Sequence, residues 1–221
     1  MPAQAAFYRF EGTLSSRATL VAAGWLAANA QGMRERILRL GNVMLAAPFV
    51  AGGPLHDATT GARVAWMGLR GVTEDRLIVL GQEYADRFVI PGLRSVGLEL
   101  VAESRRVGQR IVLVSDNLDV IMGHVARHLE VEDFVCNSLE LRDGKATGRL
   151  HDPVISGAAT LGWARSFAAD HDIDLGSACG YGASKEDGLF LSGVGRPCAV
   201  RPDRALRQLA RDLDWPIVEE R

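Results

Sequence analysis

The sequence predicts an α/β protein with a Rossmann-like, three-layer α/β core and a helical cap inserted after the first strand. Short apolar stretches typical of buried parallel strands alternate with amphipathic helical stretches after residue 91. Another buried strand is predicted at residues 5 to 10, and a long region of helical spacing separates it from the alternating part. We therefore predict that residues 1 to 14 and 89 to 221 form the core and that residues 15 to 88 form the cap.

Length, charge and cysteine content restrict the class of protein. A chain of 221 residues, with 48% hydrophobic and 24% charged residues, suits one globular core with a modest insertion. The net charge of -2 gives no electrostatic reason to expect a nucleic-acid partner. We expect no membrane span, because no uncharged run reaches the roughly 20 residues of a membrane helix, and no signal peptide, because MPAQAAFYRF has no basic region followed by an apolar core. Cys136, Cys179 and Cys198 lie in apolar stretches and are predicted to be reduced and buried, which favours a cytoplasmic protein.

The inserted region is predicted to contain four helices. Apolar residues recur three or four positions apart in three of its stretches, ATLVAAGWLAANA (18–30), MRERILRLGNVML (33–45) and TEDRLIVLGQEYADRF (73–88). Residues 41 to 55 carry no charge, but this run is shorter than a membrane helix. Pro48 and Pro54 also interrupt it, so we do not expect it to span a membrane. It either lines an apolar pocket or meets a partner protein or membrane surface, or it is a buried cap helix and turn, which is the interpretation we favour.

After residue 91, helices and strands alternate along the chain. We predict helices at 92–110, 117–131, 157–173 and 204–215, and strands at 111–115, 133–137, 177–184 and 197–203. Residues 138 to 150 are predicted to form a hairpin that turns at Asp143-Gly144, a pair that tolerates the positive φ of a tight turn. Sheets of this class bind ligands beyond the carboxyl ends of their strands, where Glu11, Ser115 and Ala183 are expected to meet.

Four stretches carry a resemblance to a known family. FYRFEGTL (7–14), IVLVSDNLD (111–119), LELRDGKATGRL (139–150) and the C-terminal stretch from CGYGASKEDG to DWPI (179–217) occur in the same order as in the haloacid dehalogenase (HAD) superfamily. The resemblance is to its phosphoserine phosphatase-like branch and covers the whole chain. It implies a HAD-like core with a helical cap and, in active relatives, Mg²⁺-dependent hydrolysis of phosphate esters.

The first motif of the resemblance is altered at its two acidic positions. Active relatives read D-x-D-G-T, in which the first aspartate attacks phosphorus and binds magnesium and the second is the general acid and base. Arg9 stands at the nucleophile position, and a guanidinium cannot attack phosphorus and repels magnesium. Glu11 keeps a carboxylate but moves it on the order of 1 Å, enough to cost about a hundredfold in rate. Gly12 retains the turn.

The remaining motifs are partly kept. Ser115 occupies the position of the hydroxyl that binds a phosphate oxygen, and Asp187 that of the outer acid in the last motif, G-D-x-x-x-D. Thr160 replaces the lysine of the third motif, and Ala183 replaces the aspartate that ligates magnesium directly. Magnesium has therefore lost both side-chain ligands of its first shell, and we expect no bound metal. The resemblance then implies a pseudoenzyme with a binding or regulatory role.

Several alternatives stay open from the residues alone. Arg9 either grips a phosphate or carboxylate together with the loop amides and Ser115, or fills the vacated metal site and pairs with Glu11 and Asp187. We favour the internal pairs, because two acids without magnesium would repel each other. Asp116 is either a replacement acid or the N-cap of the following helix.

The predicted anion pocket consists of Arg9, Glu11, Gly12, Ser115 and Asp116. Its expected occupant is a small anionic ligand, and a protein partner could instead bind through the cap. The rival function is an active hydrolase or transferase that uses Glu11 or Asp116, with Arg9 as a clamp. His124 and His128 lie four residues apart on one helix, but no third zinc ligand of suitable spacing follows, so we expect a solvated helix face.

Overall fold

A sheet of six parallel strands forms the centre of the fold. The computed structural model describes residues 5–16, 18–29, 33–50, 57–157 and 159–219. The strands of the sheet are β1 (Ala5–Arg9), β2 (Arg110–Leu118), β3 (Asp133–Asn137), β6 (Cys179–Gly182), β7 (Arg196–Val200) and β8 (Ile217–Val218). They lie in the order β3-β2-β1-β6-β7-β8, so β1 is flanked by parallel strands on both sides. A separate antiparallel hairpin consists of β4 (Leu139–Arg142) and β5 (Lys145–Leu150).

Both faces of the sheet are apolar, which requires a layer of helices on each side. Along β1, Tyr8 belongs to the hydrophobic cluster on one face and Phe7 to the cluster on the other. The first face packs against α5 (Ser95–Arg106) and α6 (Asp119–His128), and the second against α7 (Ala159–Asp170), α8 (Gly188–Leu191) and α9 (Arg204–Asp212). The predicted three-layer α/β core is confirmed.

Among the described residues between β1 and α5 there are four α-helices, as the helical spacing predicts. They are α1 (Thr19–Ala28), α2 (Met33–Val50), α3 (Ala58–Met67) and α4 (Glu74–Tyr84). The α3 helix, which no single stretch indicated, begins after Asp57, whose side chain accepts hydrogen bonds from the backbone amides of Thr59 and Thr60 at 3.0 and 3.2 Å. Trp66 at its C-terminal end is fully buried against this helical segment.

The uncharged segment at residues 41 to 55 is only partly buried. Its first ten residues continue α2, and residues 51–55 lie outside the described part of the chain. Val43 and Ala46 are buried, whereas Met44 is 75% and Leu45 64% exposed. A helix that packs on one side leaves its opposite face in solvent, so the expectation of a wholly buried helix is wrong for this face.

The remaining elements agree closely with the predictions, apart from the start of α6, the unpredicted elements α8 and β8 and the partial burial of two cysteines. The hairpin turns at Asp143-Gly144, with φ values of 51° and 69°. The α6 helix begins only at Asp119, after Leu118, so Asp116 is not its N-cap. The strand β8 was not predicted, because two residues carry no periodicity.

Cys198 is buried but Cys136 and Cys179 are half-buried, and all three are free thiols. No helix among the described residues combines the length and apolarity that a membrane crossing requires.

Candidate functional site

Three neighbouring strands bring the candidate residues together. Arg9 ends β1 and Glu11 follows it, Ser115 and Asp116 lie near the end of β2, and Ala183 comes directly after β6. Because β1 pairs in parallel with both β2 and β6, these carboxyl ends meet at one edge of the sheet. The sequence-predicted meeting of these positions is confirmed.

The turn after β1 requires glycine at position 12. Gly12 has a φ of 82°, a conformation that other residues rarely adopt. A Cβ atom added at Gly12 would also lie 2.6 Å from the Cβ atom of Ala183, closer than two non-bonded carbon atoms can approach. The β1 loop and the β6 loop are therefore packed against each other at this point.

Arg9 is held by two ion pairs inside the protein. The residue is only 3% exposed. Its Nε donates to Oδ1 of Asp187 at 2.8 Å, and its Nη2 donates to Oδ1 of Asp116 at 2.7 Å. Burial disfavours the charge of the guanidinium, but the neighbouring carboxylates, Asp116 most strongly, outweigh burial and hold the pKa of Arg9 above its ordinary value. The predicted internal pair with Asp187 is present.

Glu11 is not the hydrogen-bond partner of Arg9 that the sequence suggested. Its Oε1 accepts from Ser115 Oγ at 2.6 Å and from Asn117 Nδ2 at 2.8 Å, and its Oε2 accepts from the backbone amide of Asp116 at 3.2 Å. The side chain of Glu11 reaches these donors near the end of β2. The guanidinium of Arg9 instead donates to Asp116 and Asp187. Asp116 has thus taken the place expected of Glu11.

Ser115 does not face a ligand. It is fully buried, its hydroxyl donates to Glu11, and the same oxygen accepts from the backbone amide of Asn117 at 3.1 Å. The resemblance implied a phosphate contact for this hydroxyl, and the structure instead uses it to hold Glu11. The physical reason is the extra methylene group of Glu11, which brings its carboxylate within hydrogen-bond distance of the serine.

Asp187 uses both carboxylate oxygens within the protein. Oδ1 accepts from Arg9, and Oδ2 accepts from the backbone amides of Ala183 and Ser184 at 2.8 and 2.9 Å and from Ser184 Oγ at 3.1 Å. Ser184 and Asp187 form a capping box at the short helical turn Lys185–Asp187. The retained acid of the last motif therefore stabilises the loop after β6.

Asp116 is partly exposed to solvent. A quarter of its side chain is exposed, compared with 4% for the side chain of Arg9. Burial raises the pKa of Asp116 to about 6; the charge of Arg9 acts against this increase, and that of Glu11 adds to it. Asp116 therefore keeps its proton up to a higher pH than an ordinary aspartate does.

The residues at this site do not fit a magnesium ion. Arg9 and Ala183 stand at the two positions that the resemblance assigns to side-chain ligands of magnesium, and the guanidinium lies between the carboxylates of Asp116 and Asp187. Magnesium requires near-octahedral oxygen coordination, whereas the oxygens of Glu11 and Asp187 already accept protein hydrogen bonds. Across the described ranges, no group of three or more His, Cys, Asp or Glu side chains could hold a metal ion.

Thr160 and the two candidate histidines line neither of the cavities at the strand ends. Thr160, near the start of α7, is 1% exposed, and its hydroxyl has no hydrogen-bond partner among the described residues. His124 Nε2 lies 2.7 Å from Oδ1 of Asp86, and His128 is exposed. The histidine pair thus lies on a polar helix face, as predicted.

Two connected cavities lie above the strand ends. The larger, of about 430 Å³, is lined by Arg9, Glu11, Gly12, Asp116 and Ala183 together with Arg94, Ser156 and Arg201. The smaller, of about 190 Å³, shares Glu11 and Asp116 with it, and its apolar wall comes from α1 and α3 through Leu20, Gly61, Ala62 and Ala65. Four of the five residues of the predicted anion pocket thus line the larger cavity, and Ser115 does not.

Sequence reasoning did not identify Asn117, Arg94, Ser156 or Arg201. Arg201 follows β7 and has a φ of 45°, which is unusual for a residue other than glycine. Its position after a strand was the only available signal, because ligands of such sheets collect at the carboxyl ends of strands. Arg94 and Ser156 lie in connecting segments, where hydrophobic periodicity carries no information.

Comparison with known sequences identifies relatives of this chain. The haloacid dehalogenase-like hydrolase family matches residues 6–191. A putative hydrolase of Mycobacterium leprae is 29% identical over 162 residues, which are 73% of this chain and 54% of that protein. Phosphoserine phosphatase SerB1 of Mycobacterium tuberculosis is also 29% identical over 162 residues, 73% of this chain and 53% of that protein. The chain thus spans about half the length of these relatives.

Solved structures share the fold at low sequence identity. A protein of unknown function from Bordetella pertussis Tohama I superposes with a TM-score of 0.84 at 21% identity, and the match covers 99% of both chains. A phosphoserine phosphatase, solved as an analogue of its phospho-aspartyl intermediate, superposes with a TM-score of 0.73 at 17% identity, over 100% of this chain and 95% of that one. The fold is therefore the HAD-like α/β fold of phosphoserine phosphatases.

Proposed function

Since the chain belongs to the haloacid dehalogenase-like hydrolase family, we propose that it is a pseudophosphatase: a phosphoserine phosphatase-like protein without phosphatase activity, acting in binding or regulation. The observation that carries this proposal is the position of Arg9, whose guanidinium donates to Asp187 at 2.8 Å and to Asp116 at 2.7 Å. A permanent cation fills the place where active relatives have an attacking aspartate and magnesium.

The chemistry of phosphate-ester hydrolysis by the family mechanism is incompatible with this arrangement. That mechanism needs an anionic nucleophile and a divalent cation that stabilises the charge of the phosphoryl group. The guanidinium supplies no lone pair for attack, since its pKa lies above its ordinary value and it stays protonated. Glu11 is engaged by three hydrogen-bond donors and is not free to protonate a leaving group.

The proposed binding site is the pair of cavities between the strand ends and helices α1 and α3, which act as part of a helical cap. The cavity walls combine charged groups from the core with small apolar residues of α3. The smaller cavity suits an apolar group, and the charged lining of the larger one suits a polar or ionic group. We propose a small ligand with one anionic and one apolar part, bound in the cytoplasm.

The proposal is tested by restoring the catalytic residues. The variant Arg9→Asp with Thr160→Lys and Ala183→Asp regains the nucleophile, the lysine and the magnesium ligand, and we expect magnesium-dependent release of phosphate from phosphoserine or another phosphomonoester. The matched control, Thr160→Lys with Ala183→Asp, keeps Arg9 and is expected to stay inactive. Magnesium-dependent turnover by the unmodified protein that disappears in Glu11→Ala would overturn the proposal.

A second candidate function is hydrolysis by altered residues, with Arg9 as a clamp. The observation in its favour is Asp116, which lines both cavities and whose pKa is raised to about 6, suitable for proton transfer near neutral pH. Under this alternative, turnover continues in a metal chelator and is lost in Asp116→Asn. The control Asp119→Asn alters a nearby acid that lines a different cavity and is expected to retain activity.

A further inference from the structure

A second charged cavity lies outside the candidate site. Its volume is about 480 Å³, and it lies between the β4–β5 hairpin and the segment that joins α3 to α4. None of its lining residues is shared with the two cavities above the strand ends. Four cations and two acids line it: Arg70, Arg142, Lys145, Arg149, Glu140 and Asp143.

The backbone around this cavity is held firmly. The hairpin is bonded to the α3–α4 segment by three hydrogen bonds, from Gly71 N to Ala146 O at 2.7 Å, from Ala146 N to Val72 O at 2.9 Å and from Glu74 N to Gly144 O at 3.0 Å. Gly148 has a φ of 83°, and a Cβ atom there would lie 3.0 Å from the Cβ atom of Arg70. The cations therefore project from a fixed frame in which hairpin and loop are in close contact.

The positive charges in this cavity are only partly balanced from within, since two acids line it together with four cations. Arg142 and Lys145 are directly opposite each other in the antiparallel register, an arrangement of like charges that destabilises a hairpin. The structure gives none of the four cations an ion pair with another described residue, while Glu140 accepts a hydrogen bond from Thr147 Oγ1 at 2.7 Å. Locally unfavourable charges of this kind are expected where a protein binds a ligand.

From this arrangement we propose that the hairpin cavity binds a small anion that carries two or more negative charges on phosphoryl groups. Guanidinium groups bind phosphate oxygens through paired hydrogen bonds, and the ammonium group of Lys145 adds a further donor. The volume lies within the usual range for small-molecule sites. The cavity has no aromatic lining residue, whereas binding of single-stranded nucleic acid relies on aromatic stacking.

Such an anion would connect the hairpin to the proposed cap. Arg70 follows α3, the helix that supplies Gly61, Ala62 and Ala65 to the small apolar cavity. An anion bound by Arg70, Arg142 and Arg149 together would link the end of α3 to the hairpin, at a place separate from the cavities at the strand ends. The site is independent of the proposed function, because it uses none of the residues at the strand ends.

The test is a titration of the full chain with pyrophosphate at constant ionic strength, followed by two-dimensional NMR. We expect saturable shifts of the backbone amides of Gly144 and Gly148. The variants Arg142→Gln and Arg149→Gln are each expected to weaken binding about tenfold, because each removes a charged hydrogen bond. The matched control Arg127→Gln, an exposed arginine on α6, is expected to leave binding unchanged.

Three outcomes would overturn the inference. One is the absence of saturable shifts in the hairpin amides, and another is unchanged affinity in the double variant Arg142→Gln with Arg149→Gln. The third is stronger binding of a mixed-sequence single-stranded oligonucleotide than of pyrophosphate, which would identify a macromolecular ligand. Shifts confined to the amides of Gly12 and Gly182 would place the anion at the strand ends instead and would support the anion pocket of the proposed function.

Discussion

The two clusters of charge in this protein differ in how they are balanced. At the strand ends, the buried guanidinium of Arg9 is within hydrogen-bond distance of two aspartates. On the β4–β5 hairpin, Arg142 and Lys145 are exposed and face each other. A buried charge must be paired, because its desolvation is costly, whereas water stabilises an exposed charge without a partner. In the first cluster, pairing therefore offsets the cost of burying the charges, and the second cluster remains available to a ligand.

The largest expected effect is the removal of Arg9. In Arg9→Met the carboxylates of Asp116 and Asp187 lose their cation, and we expect the free energy of unfolding to fall by about 3 to 5 kcal/mol, as for other broken buried pairs. Urea denaturation at neutral pH measures this change in the free energy of unfolding. In the control, Arg63→Met breaks an exposed pair with Asp152 and is expected to cost less than about 1 kcal/mol. Equal losses in the two variants would remove the distinction between the clusters.

A smaller effect is expected at the turn that supports the first cluster. Gly12→Ala places a Cβ atom at a φ of 82° and 2.6 Å from the Cβ atom of Ala183. The backbone conformation alone should lower the free energy of unfolding by about 1 kcal/mol, and the contact should add to it. Adding Ala183→Gly should recover only the part due to the contact. Full recovery in that double variant, measured by thermal unfolding, would show that the φ angle has no cost.

The pH dependence of stability tests the acid that contacts both Arg9 and the cavities. The pKa of Asp116 is raised to about 6, above the ordinary value of about 3.9, so the folded state holds this proton more tightly than the unfolded state. Its contribution to stability is therefore present below pH 4 and is lost as the pH rises through 6, by about 3 kcal/mol in total. Asp116→Asn should remove this decline, and carbon NMR of the carboxyl group measures the pKa directly. A midpoint near 4 would contradict the prediction.

The smallest change in stability is expected on the hairpin. Replacing Arg142 and Arg149 by glutamine should alter the free energy of unfolding by less than about 0.5 kcal/mol, because both are exposed and neither has an ion pair with a described residue. We expect the change to be a slight gain, because Lys145 loses a repulsive neighbour. Urea denaturation without phosphate measures this change, and a loss comparable with that of Arg9→Met would show that these cations are structural.

Local patterns predicted most of the fold. The strand at 133–137 and the turn at Asp143-Gly144 match the structure, because apolar runs and Asp-Gly pairs act over a few residues. The site was predicted less completely. The pair between Arg9 and Asp187 follows from charge, but the choice of Asp116 over Glu11 depends on where each side chain points. Residues in connecting segments, such as Ser156, joined the cavity without any signal in the sequence.

The sequence by itself determined the α/β core, the order of its main elements and the presence of Arg9, Thr160 and Ala183 where the resemblance implies catalytic residues. These are properties of residue type and spacing, so they can be read along the chain. Only the tertiary structure decided that Ser115 holds Glu11 instead of facing a ligand, and that the cations of the hairpin gather beside Arg70. Hydrogen bonds and cavities depend on distances between segments remote in sequence, and folding alone sets those distances.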